Sequence, residues 1–278
     1  MRQASSVGPA FLCNYMADIS KFRAEIDAID EKLVRLLNER SAIVKNVGAA
    51  KKKSQKSNIC YIRAGREAEK VRSIYDLFKD GLFPANAAAH IWRMIICASL
   101  SLESRLAISV SSGDDNVYWL AREYFGPFIP VRKRNTSEEV IADIEKGVAD
   151  VGVLPVSDHR WWLELPDDIK IFGCVPFLLQ NDIKEIKALA FARLLPEETG
   201  NDITLLKLTV DIKLTQKIIE ETFGKLKMNA TLLGSIGNAY LIEIPQYLSE
   251  NNHLTAKIEE ETGFAITVLG SYAVPLEI

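Results

Sequence analysis

A stretch of the chain from Asp18 to Lys53 contains no proline and a single glycine, Gly48, and it constrains the fold more than any other feature. Ile19, Phe22, Ile26, Ile29, Leu33, Leu36, Leu37, Ile43, Val44 and Val47 recur along it at helical spacing. Asp18 or Ser20 can cap its start. A helix of about 35 residues at 1.5 Å per residue runs roughly 50 Å. A domain of about 90 residues, with a radius of gyration near 13 Å, is too short to cover that length. The apolar stripe therefore needs a second chain, and a homodimer through this helix is expected.

Charges on the same helix carry the next constraint. Rotated about 100° per residue from Ile19, the apolar residues fall between roughly 240° and 360°. Arg40 falls near about 300° and Lys51 near about 320°, inside the stripe, while Arg23 lies just off its edge near about 40°. Cations in an apolar seam are costly unless an anion meets them. Either acidic residues of neighbouring helices neutralise them, or their ends snorkel out, or a polyanionic small molecule binds inside a helical bundle. Residues 1–105 hold 18 Lys/Arg against 11 Asp/Glu, and the remainder holds 16 against 26. The basic half points to an anionic partner.

Two further helices are expected, from about Arg66 to Lys79 and from about Ala85 to Ser104, separated by DGLFP. Arg66 and Glu67 open the first of them, either as first-turn surface charges or as part of a site. On the second, Ser99 and Glu103 are i,i+4 neighbours beside Ile95, Ala98 and Leu102. Residues 1–17 read as a flexible tail, too weakly apolar for a secretory signal, with a faint likeness to a transit peptide and Met16 as an alternative start.

Beyond Arg105 strand and helix patterns alternate: LAISV, VYWLAREYF, FIPVRK, SEEVIADIEKG, DVGVLPV, then IKIFGCVPFLL and ALAFARLL. The tail from Asp202 reads β-α-β-β-α-β, a ferredoxin-like order. With 278 residues, 48% apolar and 26% charged, the chain is neither disordered nor collagen-like. No apolar run approaches the roughly 18 residues of a membrane span. Four scattered cysteines and three isolated histidines suit a reducing, cytoplasmic setting and argue against a metal centre.

Taken in order, FRAEIDAIDEKLVRLLNER, VGAAK, YIRAGRE and IWRMIICASLSLE resemble the all-helical, intertwined-dimer class of chorismate mutase over residues 18–104. The resemblance implies that Arg23 reaches into the partner's site and that Arg40 pairs with a substrate carboxylate. It implies that Lys51 contacts the ether oxygen and a carboxylate, with Glu103 as the second donor to that oxygen. Arg66 and Glu67 fall on an Arg-Glu pair whose Glu contacts the substrate hydroxyl, and Ser99 falls on a ring-carboxylate contact. Two positions depart from the pattern. Arg63 stands where many relatives carry Asp, and Glu103 where bacterial relatives often carry Gln. A carboxyl group donates a hydrogen bond only when protonated.

The implied reaction, chorismate to prephenate, is a unimolecular rearrangement that breaks an ether C–O bond as a C–C bond forms. It needs no metal and no cofactor. Holding the dicarboxylate in a near-attack conformer and stabilising charge on the ether oxygen suffice, and guanidinium forks suit the carboxylates.

Residues 106–177 resemble the first lobe of prephenate dehydratase, and the chain from ALAFARLLPEETGNDITLL onward resembles that family's passage into an ACT-type domain. The positions that would carry dehydratase chemistry differ. SGDDNVYW replaces the glycine-rich turn, Ser157-Asp158-His159 replaces Glu-Asn-Ser, and Ala188-Leu189-Ala190 replaces a Thr-Arg-Phe strand. Asp211–Leu214 and Leu233–Ile236 stand where ACT domains bind phenylalanine. His159, Trp161 and Trp162 could line a ligand pocket or an interface, although core packing is the favoured expectation.

The expected fold is multidomain α plus α/β. A flexible tail (1–17) precedes a three-helix chorismate mutase domain (18–104), a degenerate dehydratase-like lobe (105–187) and an ACT-like domain (188–278). The expected function is chorismate mutase in aromatic amino-acid biosynthesis, with chorismate as substrate and neither nucleic acid nor membrane as partner. KKKSQK reads as a solvated helix end. The alternatives are a bifunctional mutase–dehydratase and a non-catalytic amino-acid sensor.

Overall fold

The computed structural model describes residues 9–54, 62–103, 106–111, 115–158, 160–180, 185–250 and 253–278, with backbone alone for 9–17, 51–54 and 115. It divides into two compact units, Met1–Ser54 and Gln55–Ile278.

The first unit is one helix, α1 (Pro9–Ser54). It starts nine residues before the expected Asp18, so residues 9–17 are helical rather than a flexible tail. Proline suits a first helical position, where its missing N–H would have no partner. The expected stripe is present: Phe22, Ile26, Ile29, Leu33, Leu36, Leu37, Ile43 and Val47 are each between 43% and 65% exposed.

The second unit opens with a helical hairpin, α2 (Ala64–Phe78) and α3 (Ala85–Glu103). Ala68, Val71 and Ile74 of α2 and Ala88, Ala89, Ile96 and Leu100 of α3 are buried, following the helical period. The hairpin belongs to this unit because polar ties fix it there. Arg63, at the N-cap of α2, pairs with Glu197 at 2.9 Å. Arg72 donates to the carbonyls of Val274 and Asn201 at 2.6 and 3.2 Å. The division into compact units falls at Ser54/Gln55, inside the expected three-helix domain.

The remaining chain forms β1 (Ile108–Ser111), α4 (Asp115–Phe125), β2 (Val131–Arg134), α5 (Ser137–Glu145), β3 (Val151–Pro155), β4 (Lys170–Val175), β5 (Leu178–Leu179) and β6 (Ala188–Ala192). There follow β7 (Asp202–Thr209), α6 (Gln216–Lys225), β8 (Thr231–Ile236), β9 (Ala239–Ile244), α7 (His253–Thr262), β10 (Ala265–Ala273) and β11 (Leu276–Glu277). Nine strands make one sheet in the order β2-β1-β3-β6-β4-β10-β7-β9-β8, and β5 pairs with β11 separately. Strands β1, β3, β4 and β6 are buried along their whole length. Burial along the whole strand is what a sheet covered on both faces imposes, and the polar residues in them are partnered, Ser109 donating to Asp143 at 2.7 Å and Lys170 to the Val268 carbonyl at 2.9 Å.

Two expectations about this half change. IKIFGCVPFLL is two short strands, β4 and β5, in different sheets. Strand β6, expected to open the ACT-like domain, lies between β3 and β4 and is antiparallel to both. The β-α-β-β-α-β tail does form, with its strands antiparallel in the order β10-β7-β9-β8. It joins the first lobe edge to edge. Gly270, at φ +143° beside a bulge, pairs with Ile171, and an added Cβ would lie 2.1 Å from the Ile171 carbonyl oxygen. Only glycine permits that approach.

Candidate active site in the helical region

The three cations of the expected site lie on α1. Arg23 is exposed and Arg40 is half-buried. Lys51 is in the last helical turn, with its side chain outside the described residues. Arg23 and Arg40 are 17 residues apart, or about 26 Å of helix axis. One small molecule cannot touch both on one copy of the helix. Arg40 and Lys51 are about 17 Å apart along the axis, a gap their long side chains can close around a small dicarboxylate.

The other four residues lie in the second unit. Arg66, in the first turn of α2, is exposed and lines an open cleft of about 810 Å³ with Arg63, Lys70, Glu197 and Thr199. Glu67, one residue on and about 100° around the helix, faces inward. It is 8% exposed and pairs with Arg93 of α3 at 3.1 Å. Of the two expectations for Glu67, the surface charge is therefore excluded. Ser99 is buried, and its hydroxyl donates to the Ile95 carbonyl at 2.7 Å. Glu103 ends α3, half-buried, and its charge acts on Glu67. The hairpin thus brings Glu67 and Glu103 into one electrostatic neighbourhood.

Arg93 is the residue that motif reading missed. It is 5% exposed. Its Nη1 donates to Glu67 Oε2 at 3.1 Å and its Nε donates to the Tyr124 carbonyl at 3.2 Å. The guanidinium also sits 3.7 Å from the centre of the Tyr124 ring. Tyr124 is in the last turn of α4, whose terminal carbonyls have no partner within their own helix and carry its negative end. Cys97 Sγ donates to the same carbonyl at 3.1 Å. Burial drives the Glu67 carboxyl above its ordinary range, and the opposing pull of Arg93 reduces that shift without cancelling it. Burial works against the charge of Arg93, yet Tyr124, Cys97 and Glu67 together hold it firmly protonated. The signal was present in the sequence: Arg93 is the one Lys or Arg of α3, flanked by Ile91, Met94, Ile95 and Ile96.

Arg63, the departure from the Asp of many relatives, has a structural explanation. It forms the Glu197 pair that fixes the start of α2. In the α/β half, Ala188, Leu189 and Ala190 are fully buried apolar residues of β6. Asp158 accepts a hydrogen bond from the Ser137 hydroxyl, while His159 lies outside the described residues. Trp161 and Trp162 are core residues, and Trp161 stacks on Phe191 at 5.6 Å between centroids. Leu214 is buried, its N–H donating to the Tyr240 hydroxyl at 3.1 Å, and Leu233–Ile236 is part of β8. Among the described residues, no helix is long and apolar enough to cross a membrane.

Residues 22–104 match the family model described as chorismate mutase type II. The bifunctional chorismate mutase/prephenate dehydratase of Aquifex aeolicus is 34% identical over 169 residues, covering 57% of this chain and 46% of that protein. The protein of the same name from Stutzerimonas stutzeri is 25% identical over 175 residues, covering 59% and 48% respectively. The chain spans about half the length of these curated relatives. Among solved structures, prephenate dehydratase from Streptococcus mutans aligns with a TM-score of 0.44 at 17% identity, covering 62% of this chain and 100% of that one.

Proposed function

We propose that the chain rearranges chorismate to prephenate, because residues 22–104 match the family model described as chorismate mutase type II. The observation that carries this reading is the family match, together with Arg23, Arg40, Lys51, Arg66, Glu67, Ser99 and Glu103 at the charged and polar positions the family uses. Arg40, and Arg23 from a second copy, hold the two carboxylates of the substrate. Lys51 donates to the ether oxygen as charge grows on it, Glu103 stands at the position of the family's second donor to that oxygen, and Ser99 meets the ring carboxylate. Arg66 and Glu67 take the roles of the family's Arg-Glu pair, with Glu67 accepting from the substrate hydroxyl.

The 26 Å or so between Arg23 and Arg40 supports a site shared by two chains. The exposed stripe of α1 supplies the surface on which they meet. Burying eight large apolar side chains at roughly 25 cal/mol per Å² is a strong drive to dimerise.

A second reading, the bifunctional mutase–dehydratase, is favoured by the names of the relatives. Their alignments run to 169 and 175 residues, longer than the helical domain. Against it stand the apolar β6, where the dehydratase pattern has a Thr-Arg-Phe strand, and Ser157-Asp158-His159, which replaces its Glu-Asn-Ser. The test supplies prephenate to the full chain and looks for phenylpyruvate; none is expected, and its formation would establish the second reading. A companion test mixes inactive Arg23→Ala with inactive Lys51→Ala chains under proven subunit exchange. Heterodimers with one intact site should recover part of the wild-type turnover. No recovery would mean that the two residues do not act across two chains.

A further inference from the structure

We propose that Arg93 is a positioning residue for the mutase reaction, holding Glu67 in place from an anchor on helix α4 of the α/β half. The inference rests on the mutase reading, in which Glu67 receives the substrate hydroxyl.

The geometry gives Arg93 two ends. One reaches Glu67 Oε2 at 3.1 Å, and the other reaches the Tyr124 carbonyl at 3.2 Å, with the ring of Tyr124 beneath the guanidinium at 3.7 Å. A carboxylate has about four acceptor sites, so the Arg93 contact leaves Glu67 able to accept from a hydroxyl. Gly126 makes the approach possible. It lies at φ +82° just past α4, and a Cβ there would stand 2.9 Å from the Cys97 Cβ. Helix α3 can thus press directly on the C-terminus of α4. Around Glu67 the titratable groups are Arg93, Cys97 and Glu103 on α3 and Tyr124 on α4. Arg93 is the one cation among them. Without it, burial and Glu103 would both favour the neutral acid, a poorer acceptor for a hydroxyl. The α/β half thereby gains a part in the reaction that needs no dehydratase chemistry, because it supplies the carbonyl and ring on which Arg93 rests.

The test is a double-mutant cycle read through KM and kcat for chorismate in the full chain. Arg93→Gln should raise KM by about 10-fold or more, because the hydroxyl contact is present in bound substrate as well as in the transition state. Arg93→Lys, which keeps the charge, should restore part of the loss. In a Glu67→Ala background, Arg93→Gln should change KM less than about 2-fold, since a residue acting through the Glu67 carboxylate has nothing left to act on. Circular dichroism and melting check each variant. If Arg93→Gln does not fold, Arg93→Lys and Tyr124→Leu carry the cycle. Tyr124→Leu removes the ring but keeps the carbonyl, and its smaller rise in KM should also vanish with Glu67→Ala. An equal rise in KM in both backgrounds, or no rise in the folded single variants, overturns this inference alone. A wild-type chain that leaves chorismate untouched overturns the mutase reading and this inference with it.

Discussion

Cys97 and Cys174 are buried thiols, and burial pushes them from an ordinary 9.0 up to about 11 and about 12. Tyr124 and Tyr272 are raised by burial in the same sense. The unfolded chain releases these protons at lower pH than the native one does. Stability from keeping the thiols neutral is therefore complete below about pH 9 and is lost as pH rises towards 11 and 12. The denaturant midpoint should fall between pH 8 and pH 10.5, and less steeply in a Cys97→Ala, Cys174→Ala double variant. Parallel slopes in the two proteins would show that the thiols do not contribute. Burial also explains why the Glu67–Arg93 pair could not be read from sequence. The lone cation in HIWRMIICASL was visible, but its partner lies 26 residues away on another helix. Arg66 and Glu67 look equivalent in sequence, and only the packing of α2 decides which of them faces inward.

At the scale of elements, local signals carried the most information. The apolar period of α1, the DGLFP break between α2 and α3 and the β-α-β-β-α-β tail were legible because each depends on near neighbours in the chain. The insertion of β6 between β3 and β4 was not legible, because strand order depends on partners far apart in sequence. Nor was the join between lobes, which depends on Gly270. Gly270→Ala would force a Cβ against the backbone of Ile171 at a φ of +143°. The expected cost is several kcal/mol, enough to lower the melting temperature sharply or prevent folding. Gly224, inside α6 with open space where its Cβ would go, is the control. Gly224→Ala should be neutral or stabilising by about 0.5–1 kcal/mol. Equal melting temperatures for the two variants would contradict the role given to Gly270.

At the scale of the whole molecule, the division of labour follows from chemistry rather than from size. One long helix presents an apolar stripe and the three cations of the proposed site. The second unit presents a hairpin with a buried Glu–Arg pair and rivets that hairpin to a nine-stranded sheet. The resemblance over residues 18–104 could assign roles to seven side chains because the rearrangement depends on charge placement, and charged residues at fixed helical spacing leave a clear trace in sequence. The α/β half leaves a weaker trace, since its buried strands follow rules common to many folds. The most direct test of the account is turnover of chorismate by the full chain beside its Lys51→Ala variant, with the product, an isomer of equal mass, identified by its retention against a prephenate standard and by its acid-catalysed decay to phenylpyruvate. Prephenate should form in the wild type, and the variant should lose about 10²–10³ in kcat, the usual cost of one preorganised donor, with its helical circular dichroism unchanged. Chorismate left intact by the wild type, or turned over equally well by folded Lys51→Ala, would contradict the account.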